Sequence, residues 1–114
     1  MRFRLLVAAL ALLFLCVTPS IADEDPLAVI PEAVPLRDRW ERCAADRVRG
    51  LIRTNLSAEA VADRALAGCR AEENAVKDLL ARRLGADQAF TIVELVRSTY
   101  RTNLMAIVET IRAR

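Results

Sequence analysis

The sequence predicts an all-α protein: a small antiparallel three-helix bundle, with helices at about 36–53, 58–84 and 88–113. Three observations predict it. Apolar residues recur at helical spacing in three long stretches, and no stretch alternates as a strand would. Acids stand four residues ahead of bases at Asp38–Arg42, Glu73–Lys77 and Asp78–Arg82, an order that favours helix by ~0.2–0.5 kcal/mol per pair. The connections are short, so neighbouring helices should lie antiparallel.

The first 22 residues stand apart from the fold. Arg2 and Arg4 make a basic start, and Leu5–Val17 is an apolar run of 13 residues. Pro19, Ser20 and Ala22 follow, with small residues where a signal peptidase wants them. This is the layout of a secretory signal peptide cut between Ala22 and Asp23, with passage through the membrane limited to that segment. Two alternatives stay open. The run can remain as an anchor, although it is short of the ~20 residues of a span. Cys16 can be a lipoprotein cysteine, although Phe14 and Leu15 are bulky for that motif.

Residues 23–35 hold Pro26, Pro31 and Pro35 and read as an extended lead-in, with Leu27, Val29 and Ile30 resting on the domain. The helical domain then fills 36–114. Its first helix has the apolar arc Leu36, Trp40, Cys43, Ala44, Val48 and Leu51. Ser57 is a suitable N-cap for the second, whose arc includes Val61, Ala65, Leu66, Cys69, Val76 and Leu80. Gly85 is a natural terminator after Arg82 and Arg83. Asp87 is the expected cap of the third helix, whose arc is Phe90, Val93, Val96, Tyr100, Leu104, Ile107, Val108 and Ile111.

Charge narrows the function. The whole chain is +2, but loss of Arg2 and Arg4 leaves 15 basic and 15 acidic residues. No clustered basic face remains, so nucleic acid is not an expected partner. The chain has no histidine, which removes Cys–His and Ser–His catalysis and the commonest zinc ligand. No catalytic residue, cofactor or metal site is expected.

Cys43 and Cys69 remain after cleavage, an even count for an oxidising compartment. With a turn centred near residue 56, positions of equal height on the first two helices sum to about 112. Cys43 and Cys69 meet that condition on inward arcs, so a disulfide is expected. A metal-binding or redox pair and two buried free thiols are the alternatives. No C-x-x-C spacing supports redox chemistry.

The same counting puts Glu72 and Glu73 level with Trp40 and Arg39, and sets Tyr100 opposite Glu72 with Arg97 and Arg101 on either side of it. This mid-bundle cluster has two readings. One is a paired-carboxylate site for a cation or for acid–base work. The other is a rim of ion pairs whose long side chains reach water. Trp40 and Tyr100 read as core. Ile92, Leu95 and Met105 fall off the third helix's stripe and suggest a contact face.

The stretches "WERCAADRVRG" and "ALAGCRAEEN" resemble small exported helical-hairpin proteins of Gram-negative bacteria with one cysteine on each arm. The resemblance covers about 35 residues. It implies a periplasmic location and a disulfide, and it carries no activity. The expectation is a periplasmic or secreted, non-enzymatic protein acting through contact with another protein or with itself. A small envelope enzyme or ion-binding protein using Glu72, Glu73 and Tyr100 is one alternative. A peripheral membrane protein using the third helix is the other.

Overall fold

The computed structural model describes residues 25–114. The expected signal peptide, its cleavage site at Ala22–Asp23 and Cys16 lie outside the described residues. Within them the chain is all-helical, with four helices rather than three. These are α1 (Ala33–Leu51), α2 (Ala58–Ala67), α3 (Arg70–Leu84) and α4 (Ala86–Arg112).

The expected second helix is broken. Gly68 and Cys69 form a turn between α2 and α3. The Cys69 N–H bonds back three residues to Leu66 O at 3.0 Å, which tightens the chain out of α-helical register. Cys69 itself has φ −118° and ψ 31°, off the helical values. Glycine is a poor helix former, which lowers the cost of a break there. The Arg47 guanidinium fills the space beside Gly68: a Cβ on that residue would meet Arg47 Nε at 3.2 Å.

The lead-in is not extended. Residues 26–32 make turns, and α1 begins at Ala33, three residues before the expected start. Pro35 is tolerated because it occupies the first turn, where backbone N–H groups have no helical partner. Asp25 accepts from the Leu27 N–H at 3.0 Å and pairs with Arg37, and Glu32 pairs with Arg83. Leu27 and Ala33 are fully buried, Ile30 leans on the core, and Val29 is exposed.

Two of the expected helix ends hold. The Ser57 side chain accepts from the Ala60 N–H at 3.1 Å. Gly85, at φ +95°, closes α3 and opens α4 in one residue, a conformation that side chains rarely adopt. Asp87 is therefore not the cap but a first-turn acid, placed where the helix dipole favours it.

The core runs along one side of each helix. Trp40, Ala44 and Val48 of α1 meet Val61, Ala65 and Leu66 of α2, Val76 and Leu80 of α3, and Val93, Val96, Leu104 and Val108 of α4. Phe90, expected inside, is exposed, and the small Ala89 takes the buried place beside it. The i,i+4 ion pairs also differ from expectation. Arg42 bonds the Asp38 backbone carbonyl rather than its carboxylate, and Glu73 turns to Arg70 and Arg97 instead of Lys77.

Candidate functional site

The two cysteines come together as the height argument expects. Their sulfurs lie 2.06 Å apart, at disulfide distance, with Cα atoms 6.0 Å apart. Cys69 is buried and Cys43 is half-buried. The pair joins the middle of α1 to the break between α2 and α3.

Glu72 stands beside this bridge. Donor atoms of Cys43, Cys69 and Glu72 all fall within 4.8 Å of one another. Joined sulfurs offer no thiolate, however, and thiolate is the form that binds metal. Arg39, Arg42 and Arg47 outnumber Asp46 and Glu72 around the same hollow, so its net charge disfavours a cation.

The expected polar cluster does not assemble as one site. Glu72 and Arg39 share the surface between α1 and α3. Glu73 turns the other way, into the α3–α4 contact, where it is 2 % exposed. Its Oε1 accepts from Arg97 Nε at 2.6 Å and its Oε2 from Arg70 Nη1 at 3.1 Å. Arg97 also bonds Glu94. Arg101 swings to α2, bonding Asp63 at 2.7 Å, with Glu59 at 4.0 Å. The cause is geometric: adjacent positions on α3 point about 100° apart, so Glu72 and Glu73 address different neighbours.

Tyr100 does not face Glu72 either. Its ring meets Trp40 edge-on, with centroids 4.8 Å apart and planes at 71°. Its hydroxyl and the Trp40 indole N–H are both buried without a hydrogen-bond partner.

The charges follow from these contacts. Burial pushes the Glu73 carboxyl upward, but the bonds and charges of Arg97 and Arg70 outweigh it and hold it below the usual glutamate range. The Arg101 bond holds Asp63 below its usual range. Burial, and then the Glu41 carboxylate, drives the Tyr100 phenol well above its ordinary value, against the opposing charge of Arg37. General acid–base catalysis works best with groups tuned toward the operating pH. Glu73 and Tyr100 are shifted away from it.

A second feature lies at the other end of the bundle and was not legible as a site. α1 and α4 meet only briefly. Where they part they leave a groove of about 640 Å³. Val48, Ile52, Leu104, Ile107 and Ile111 form its apolar surface, and exposed Arg49 and Arg53 stand over it. Ile107 and Ile111 belong to the core-facing stripe of α4, yet they are 46 % and 42 % exposed. Arg112 ties the end of α4 to the loop after α1: its guanidinium donates to the carbonyls of Ile52, Thr54 and Leu56 at 2.6–3.1 Å. Of the residues expected to make a contact face, Ile92 and Met105 lean on the core and Leu95 is left exposed alone.

No known family, curated protein or solved structure matches the chain. Among the described residues no helix is long and apolar enough to cross a membrane.

Proposed function

We propose that this protein works in the cell envelope as a non-enzymatic binding module that contacts another protein. The observation that carries the reading is the groove between α1 and α4, where a helix's own core stripe reaches the surface uncovered. Buried on contact, apolar surface of this kind is worth roughly 25 cal/mol per Å² before the costs of association. The Cys43–Cys69 bridge suits an exported protein whose small core needs support. Export itself rests on the N-terminal sequence pattern.

The rival reading, an enzyme or ion site at Glu72, Glu73 and Tyr100, loses support from the way the three side chains part. Glu73 already has both oxygens occupied by arginines.

A photo-cross-linking residue at position 107, in protein exported by living cells, tests the contact. A discrete adduct is expected from 107, lost on Ile111→Ser and absent from exposed position 99 on the outer side of α4. Equal labelling at 107 and 99 would refute the groove as a contact site. Loss of the cellular phenotype on joint Glu72→Gln and Glu73→Gln substitution, with folding intact, would favour the rival.

A further inference from the structure

We infer that the partner presents an acidic amphipathic helix of about two turns, laid lengthwise between α1 and α4. This rests on the contact reading above and names the chemistry of the occupant.

Length and shape come first. On α1 the groove runs from Ala45 to the helix end at Leu51, ~9 Å at 1.5 Å per residue, and continues past it along Ile52 and Arg53; on α4 it runs from Leu104 to Ile111, ~10.5 Å. An amphipathic helix places anchors at i, i+3 or i+4, and i+7, which span about the same distance. The walls are themselves two helices, and a third helix packs its ridges into the furrow that such a pair leaves. Val48, Ile52, Ile107 and Ile111 supply branched side chains at helical spacing on both walls.

Charge then selects the partner. Among the described residues, the ionisable ones lining the groove are Arg49 and Arg53. Asp46 holds Arg49 at 2.7 Å, while Arg53 is in no ion pair among the described residues. The groove therefore offers one free guanidinium and one partly neutralised, and no carboxylate. A second copy of this chain fits poorly. A two-fold contact sets the same patch against itself, so the arginines of both copies would share one interface with no added carboxylate to meet them. Glutamate or aspartate flanking an apolar stripe meets both arginines, and lysine there would be repelled.

The test is a display selection from a library of 14-residue helical peptides. Each peptide keeps an apolar i, i+3, i+7 stripe and carries randomised flanking positions. The bait is the oxidised full chain. Recovered binders are expected to be net negative, and to bind at least tenfold more weakly to the Arg49→Glu, Arg53→Glu double variant. Binders to an Ile107→Ser, Ile111→Ser variant should be lost whatever their charge. Neutral or basic binders that still need Ile107 and Ile111 would overturn the acidic partner and leave the contact reading standing. Binders indifferent to Ile107 and Ile111 would count against both. A concentration-dependent dimer abolished by Ile111→Ser would also overturn the inference, because the groove would then be a self-contact.

Discussion

Glu73 and Arg97 form an ion pair across the α3–α4 contact, 2.6 Å apart, with the carboxylate almost wholly out of water. Removing one partner of a buried pair leaves an uncompensated charge, at a cost of about 3–5 kcal/mol. Arg97→Met should fall below that range, because Arg97 is itself partly exposed and Arg70 stays. Glu73→Leu combined with Arg97→Met should recover most of the loss, since no charge is then stranded. Urea unfolding of the oxidised proteins checks both. A midpoint unchanged by Arg97→Met would show that Glu73 does not depend on it.

Acid should weaken the fold through the same carboxylate. Glu73 is held below its ordinary value of 4.5 when folded, so in the unfolded chain it takes up a proton first as pH falls. Its stabilising contribution is present above that value and is lost as pH drops through the folded one. Asp63 acts in the same direction. Thermal unfolding at pH 7 and pH 3 should show the decline, and Glu73→Gln should flatten it.

Tyr100 gives the opposite sign. Its folded phenol resists ionisation, so the unfolded chain alone loses the proton as pH rises past 10. Stability should drop above that pH in the native protein and drop less in Tyr100→Phe. At neutral pH the Tyr100→Phe protein should lie within about 1 kcal/mol of the parent, because the buried hydroxyl has no hydrogen bond of normal geometry and only the nearby Glu41 carboxylate to approach. A clear destabilisation at pH 7, matched by Glu41→Gln, would identify Glu41 as the partner of the hydroxyl.

Reducing the Cys43–Cys69 bridge frees a loop spanning a sequence separation of 26. On the chain-entropy account this costs about 3.5 kcal/mol. The denaturation midpoint with and without reductant measures it. Hydrogen exchange should rise first at 66–72, where the bridge meets the break between α2 and α3.

Much of this was readable from residues alone. Periodic apolar spacing announces α1 and α4, Ser57 and Gly85 mark ends through their own chemistry, and counting heights from one turn pairs the cysteines. The break at Gly68–Cys69 was not readable. The apolar period continues across it, and a tolerated glycine looks the same on paper as a hinge. The early start of α1 was hidden for a related reason: Pro35 reads as a breaker unless its place in the first turn is known. The polar cluster failed on azimuth. Height places Glu72 and Glu73 together, but only the packing of α4 decides that Glu73 goes inward. Arg112 and the α1–α4 groove depend on where two helices part, a property of the assembly that no single helix encodes.

The bridge meets the chain at the turn between α2 and α3 rather than along the length of either. In mechanical terms it holds the pivot of a jointed arm. Rotating α2 against α3 about that point leaves the Cys43–Cys69 separation unchanged. Oxidation thus fixes where the elbow sits on α1. The angle of the elbow is left to side-chain packing and to the Glu73–Arg97 and Asp63–Arg101 pairs, which tie its two halves separately to α4.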